Sequence, residues 1–230
     1  MQFSHSSALW GEFPELAAGT LVARGIAPGG SVEAAIGRYE AVAQARLADS
    51  AEGGVPEIRA WRRAFSRMGL KPTQYRCASE ALLRRFRKGA ALPRIHPMID
   101  LCNAASMAFA IPVAVFDAGR IAGDLEVRHA AGDEVYETFA GEVEHPAVGE
   151  VIFADREGRA HARRWTNRQS GYSAVRADTT DVLIVAEALH DTAAADVARL
   201  LETLSTEIGA AWSVPVTAAM LSAAEPAFAF

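Results

Sequence analysis

The spacing of apolar residues changes near residue 110, and the change divides the expected elements. Between residues 31 and 109 apolar positions recur every three to four residues, the spacing of helices with one buried face. Ser31 is placed to cap a helix running to about Asp49, with Glu33 favourably in its first turn. After a break at 51–55, Pro56 suits the first position of a second helix, which ends near Arg67 before Gly69 and Pro72. Its Ile58, Trp61 and Phe65 share one side, leaving the arginines on the other. A third helix is predicted over Ser79–Lys88 with Leu82, Leu83 and Phe86 inward, and a fourth over Met98–Phe109.

Beyond residue 110 the apolar runs are short. Strands are predicted at Val113–Phe116, Asp124–Arg128, Glu134–Phe139, Glu150–Ala154, Arg159–Trp165 and Val182–Ala186, with Asp155–Gly158 turning one pair into a hairpin. A last helix, about Thr192–Ile208, carries Val197, Leu200, Leu201, Leu204 and Ile208 on one face. Helices followed by strands, without βαβ alternation, predict an α+β fold: N-terminal helices packed on a mostly antiparallel β sheet or barrel, with a C-terminal helix. Residues 1–30 read as an extended lead-in. The expected organisation is therefore an N-terminal segment and helix (1–55) packed on a main domain (56–215), followed by a flexible, small and apolar tail (216–230).

With 230 residues, half of them hydrophobic, the chain can build one large core. No apolar run approaches the roughly 18–20 residues that span a bilayer, so no membrane contact is expected. The start of the chain lacks a basic stretch followed by an apolar core, and a cytoplasmic location is expected. Cys77 and Cys102 give neither a disulfide framework nor a zinc spacing, and there is no HxxxH, HExxH or GxSxG arrangement. Neither a metal, another cofactor nor a serine triad is expected.

The net charge of −5 argues against a nucleic-acid binder that uses its whole surface, but the charge is uneven. Between residues 57 and 94 eleven basic residues face only Glu57 and Glu80, and six arginines between Arg156 and Arg176 face only Glu157. Such patches attract phosphates within a Debye length of about 8–10 Å. Only Lys71 and Lys88 of the 23 basic residues are lysines, so coding bias toward arginine is an equally physical source of the pattern.

Three constellations are candidates for chemistry. Glu80 and Arg84 stand at i,i+4 in the favourable order, either as a surface pair or with Glu80 orienting Arg84 or Arg85 toward a phosphate or carboxylate. Asp100 and Asn103 lie one helical turn apart, suited to holding an amine or hydroxyl or to tying the helix to nearby backbone. The run Arg163–Gly171, which holds Trp165, Thr166, Asn167, Arg168 and Gln169, leaves a strand for a loop. An Arg–Trp pair there can stack on an RNA base, or Trp165 can belong to the core.

The stretch His96–Glu134 resembles a block of the β subunit of bacterial phenylalanyl-tRNA synthetase. There a "VDVTNYVxLExGQPxHAFD" run precedes a "KIxGxIxVRxAxxGE" run; here IDLCNAASMAFAIPVAVFD precedes RIAGDLEVRHAAGDE. The resemblance, to the tRNA-binding and editing B3/B4 domain of that subunit, covers roughly residues 56–187. It implies a small sheet or barrel with flanking helices, and no amino-acid activation, since no nucleotide-binding motif is present. It implies a free-standing editing factor that hydrolyses a misacylated tRNA, with the acceptor end of tRNA and its aminoacyl group as ligands. Asn103, Asn167 and Gln169 would then supply catalytic polarity. Glu80, Arg84, Arg85, Asp100, Trp165 and Arg168 would contact substrate or tRNA.

The chain departs from the family pattern where the chemistry sits. Ala114 stands where the synthetase has His. The glutamate that meets a tyrosine hydroxyl falls at Val185, with Glu187 two residues further on the same strand face. Gln169 and Ser170 replace a glycine pair. A non-catalytic RNA-binding module and an amino-acid-binding protein without RNA remain open beside the editing reading.

Overall fold

The computed structural model describes residues 1–89 and 92–230. In chain order its elements are β1 (Gln2–His5), α1 (Ser7–Glu12), β2 (Ala17–Arg24), α2 (Glu33–Asp49), α3 (Pro56–Arg67), α4 (Ala78–Arg87) and α5 (Pro97–Phe109). Then follow β3 (Val113–Asp117), β4 (Leu125–His129), β5 (Tyr136–Glu137), β6 (Val143–Glu144), β7 (Val151–Asp155), β8 (Ala160–Arg163) and β9 (Arg168–Gln169). The chain closes with β10 (Asp181–Ala188), α6 (Ala193–Trp212), β11 (Val216–Leu221) and β12 (Ala227–Ala229).

The strands form a six-stranded sheet in the order β12-β1-β4-β7-β8-β9, a four-stranded sheet in the order β11-β2-β10-β3, and a small β5-β6 pair. All pairings are antiparallel except β1 with β4. The fold is thus α+β as expected, with two open sheets and no closed barrel among the described residues.

The helices predicted from apolar spacing are present, with differences at their ends. Helix α2 starts at Glu33 with Val32 at its N-cap, so Ser31 does not cap it. Helix α5 is opened by His96, whose Nδ1 accepts from the Met98 N–H at 3.2 Å. The β7–β8 hairpin forms at the expected turn. Asp155 Oδ1 accepts the N–H groups of Glu157 and Arg159 at 3.0 and 2.9 Å, and Gly158 takes the left-handed φ of +76° that completes it.

The chain ends differ most from expectation. Residues 1–30, expected as an extended lead-in, hold β1, α1 and β2, each inside the packing. Residues 216–230, expected as a flexible tail, form β11 and β12 at the two sheet edges. The Met1 amino group bonds the Phe230 carbonyl at 3.3 Å. Nothing in the local pattern marks these strands, because their partners lie far away along the chain.

Strand β10 is buried on both faces, and its alternation assigns its side chains. Val182, Ile184 and Ala186 enter the core beneath α2, α5 and α6. Leu183 and Val185 point the other way, into the core shared with the six-stranded sheet, α3 and α4. The close seat of α6 depends on Gly19 of β2: a Cβ there would meet Leu201 Cδ1 and Val197 Cγ1 at 2.7 Å.

Candidate functional site

The two sheets approach each other at their edge strands, β3 and β9. The Gln169 amide bridges them, its Nε2 donating to the Val115 carbonyl at 2.7 Å. A cavity of about 60 Å³ opens beside this bridge, room for a few water-sized groups. Its apolar walls come from Pro112, Val113 and Ala114 at one edge, Val185 on β10, and Phe153 and Ala162 on the larger sheet; Ala78 closes one end. The turn Trp165–Gln169 and Glu187 supply the polar atoms.

That turn is strained. Arg164 and Trp165 both take left-handed φ angles, 48° and 57°. Such residues cost on the order of 1–3 kcal/mol each and persist where surrounding contacts over-determine them. Here the Trp165 N–H donates to Val151 O at 2.7 Å, the Arg164 N–H to Glu150 Oε1 at 3.1 Å, and the Ala78 N–H to Thr166 O at 2.8 Å. The Trp165 indole is fully buried between Phe13 and Trp61, with ring centroids 4.9 and 5.0 Å away. Trp165 is therefore a core residue whose edge reaches the pocket, and its faces are not open to a base.

Glu187 continues the Leu183–Val185 face of β10 and carries the pocket's carboxylate. Its Oε1 accepts from His5 Nε2 at 2.6 Å and from Trp165 Nε1 at 2.8 Å. A carboxylate oxygen only accepts, so both nitrogens carry the hydrogen. Oε2 has no protein partner among the described residues, although Glu187 is only 2% exposed. The Thr166 hydroxyl is buried and has no partner among the described residues. Glu187 Oε2 and the Thr166 hydroxyl therefore add unmet hydrogen-bonding capacity to the cavity.

The rim is charged but internally matched. Arg163 grips Glu150 through Nε and Nη2 at 2.9 and 3.0 Å and reaches Glu144 at 2.6 Å. Burial alone would push the Glu150 carboxyl up; the Arg163 hydrogen bonds and charge outweigh it and hold the carboxyl low. Arg168 bonds Glu144 at 3.1 Å and remains exposed. The Tyr136 hydroxyl donates to the Gln169 carbonyl at 2.7 Å, fixing β9 from outside.

Of the residues singled out in the sequence, Trp165, Asn167, Arg168 and Gln169 meet at this pocket. Asn167 Nδ2 donates to Arg76 O at 2.7 Å, which leaves its Oδ1 for other contacts. Asn103 and Asp100 are not brought there. They line a small separate recess with Ile36, Glu40 and Arg94, and Asp100 accepts the Ile95 N–H at 3.0 Å. Glu80 does not orient Arg84. It is buried and held by the Arg62 guanidinium, at 3.2 and 2.5 Å to Oε1, while Arg84 and Arg87 share Glu52. Arg85 is exposed on the outer side of α4. The sequence gives no sign of His5, and Thr166 stands there only inside the run Arg163–Gly171, without a role of its own. His5 lies in a strand too short to show a period, and Thr166 carries no signal apart from its neighbours.

A sequence profile of the B3/4 domain matches residues 60–224. The chain belongs to the B3/4 domain family. Among solved structures this B3/4 protein is similar to an N-terminal fragment of the phenylalanyl-tRNA synthetase beta-subunit from Pyrococcus horikoshii, with 15% identity and a TM-score of 0.44. That similarity covers 52% of this chain and 41% of the fragment. Comparison with curated proteins gives no match. Among the described residues no group of three or more His, Cys, Asp and Glu side chains is placed to hold a metal ion. No described helix is long and apolar enough to cross a membrane. Burial pushes both thiols, Cys77 and Cys102, up to about 12, which leaves them unreactive packing residues.

Proposed function

We propose that this B3/4 protein binds tRNA and uses the pocket between β3 and β9 to hydrolyse a misacylated aminoacyl ester. The observation that carries the reading is the pocket itself, with apolar walls, a buried Thr166 hydroxyl that no described protein group satisfies, and a Glu187 carboxylate whose hydrogen bonds to His5 and Trp165 use Oε1 alone. An aminoacyl side chain would lie against Val113, Ala114 and Val185, with the ester at the Asn167–Gln169 rim. Water adds to the ester carbonyl, the bond to the terminal ribose oxygen breaks, and that oxygen leaves with a proton as the tRNA hydroxyl. The chain's part is to position the ester and to donate hydrogen bonds to the developing oxyanion from the second hydrogens of the Asn167 and Gln169 amides. The small cavity favours short side chains over an aromatic ring.

Incubation with a panel of misacylated tRNAs tests this. At least one ester is expected to decay faster than spontaneously, and the acceleration is expected to fall about 10-fold or more in Gln169→Ala. No acceleration for any ester overturns the proposal.

A second reading is an amino-acid-binding protein without RNA. It is favoured by the ion pairing of the basic run: Arg62, Arg67, Arg76, Arg84 and Arg87 all face carboxylates, so much of the charge expected to attract phosphate is already matched. A thermal shift with free amino acids, without any tRNA binding, would select it.

A further inference from the structure

Outside the pocket, an open groove of about 350 Å³ runs between α3 and the start of α6, lined by Pro56, Arg59, Arg63, His190, Asp191 and Thr192. Arg59 and Arg63 stand one helical turn apart on the exposed side of α3. Among the described residues neither forms a side-chain hydrogen bond or ion pair, in contrast to the neighbouring arginines held by Glu15, Glu52 and Glu80. Two unmatched guanidinium groups of the basic run thus stand side by side on one groove wall.

The facing wall is the N-terminus of a 20-residue helix. Its Thr192 makes no side-chain capping bond to the backbone and donates instead to Asp196 Oδ2 at 2.6 Å. In the first turn the Ala193 N–H donates to the His190 carbonyl at 2.9 Å, while those of Ala194 and Ala195 have no acceptor among the described residues, and the helix dipole adds positive potential. His190 is 7% exposed; its Nε2 contacts Asp196 at 2.9 Å, and its buried Nδ1 has no protein partner among the described residues. Asp196 is matched by Thr192, His190 and Arg199, leaving Asp191 as the exposed carboxylate at the lip.

We propose that this groove binds a phosphate group, held by the guanidinium forks of Arg59 and Arg63 and by the Ala194 and Ala195 N–H groups of α6. Two guanidinium groups at i,i+4 spacing can clamp the oxygens of one phosphate or two successive phosphates of a strand. The site is independent of the ester-hydrolysis reading: a phosphate can bind here whether or not the pocket turns over an ester.

The test compares the intact protein with Arg59→Gln/Arg63→Gln and, as a control for general electrostatics, Arg120→Gln. All three changes are at exposed positions, so thermal unfolding should be unchanged. Two probes are used: an unacylated tRNA transcript titrated at several salt concentrations, and inorganic pyrophosphate. If the phosphate belongs to RNA, the double variant binds the transcript about 10-fold or more weakly and its log–log salt slope flattens by about 1–2, while the control moves neither to that extent. If it belongs to a free phosphate compound, the double variant loses pyrophosphate binding and transcript binding is unchanged or absent. Binding of neither probe by the intact protein, or equal binding by the double variant, overturns the proposal.

Discussion

Trp165 donates its indole N–H to Glu187 at 2.8 Å, joining the left-handed turn after β8 to the central strand of the other sheet. The bond engages one carboxylate oxygen and leaves the other without a described protein partner. The strained turn, the seam between sheets and the pocket's charge are thereby one mechanical unit.

Trp165→Phe keeps most of the ring packing and removes that donor. Glu187 then retains only His5, and the expected loss of stability is about 1–3 kcal/mol by urea unfolding. An unchanged midpoint would show that the bond contributes nothing net.

Glu80→Gln and Arg84→Gln should differ sharply. Glu80 is fully buried and serves Arg62 and Arg76, so its neutralisation leaves cationic groups facing an uncharged amide, at about 2–4 kcal/mol. Arg84 is partly exposed and 3.4 Å from Glu52, which keeps Arg87 at 2.6 Å, so its loss should cost about 0.5 kcal/mol or less. Comparable shifts in the two unfolding curves would contradict this assignment.

Acid should destabilise the fold through Glu134. Burial pushes its carboxyl up, but the N–H groups of Ala131 and Gly132, each at 3.0 Å, and the Arg128 guanidinium outweigh burial and bring it down to about 2. The folded state thus takes up the proton less readily than the unfolded chain. The stabilisation is complete above the ordinary carboxylate value of about 4.5 and is lost as pH falls toward 2. Glu134→Gln should lack roughly 3 kcal/mol of stability at about pH 6 and converge with the parent near pH 2. Unfolding curves at about pH 6, 4 and 2.5 check this; a constant difference across them would refute it.

Two glycine substitutions should have opposite signs. A Cβ at Gly171 would meet the Thr138 carbonyl oxygen at 2.7 Å and Phe139 Cα at 2.9 Å, both backbone, so Gly171→Ala should destabilise by about 1–3 kcal/mol. Gly37 lies inside α2 with nothing within 4 Å of where an alanine methyl would sit, so Gly37→Ala should stabilise by about 0.5–1 kcal/mol. Thermal unfolding of both variants measures the contrast.

Much of the helical layer was legible because its signals are local. Ile58, Trp61 and Phe65 of α3, and the Val197–Ile208 face of α6, point inward as their spacing requires. The β7–β8 hairpin was legible from its turn residues. The ion pairs were not: the i,i+4 spacing of Glu80 and Arg84 gives them a chance to meet, but burial of Glu80 against α3 selects Arg62 instead. Asp100 and Asn103 share a helix face as read, yet that face turns toward α2 rather than toward the pocket. Four residues of the candidate site, Trp165 and Asn167 to Gln169, were found because they are nearly contiguous.

By itself the sequence determined the α+β class, the main helices, the hairpin and the B3/4 resemblance, all of which rest on spacing or on motifs within a few tens of residues. Tertiary structure alone decided that β1 and β12 join the larger sheet, that its described strands close no barrel, and which residues line the pocket. His5 reaches Glu187 across 182 positions of sequence. No local period encodes such a pairing. It follows from which buried polar groups must satisfy one another once the two sheets have met.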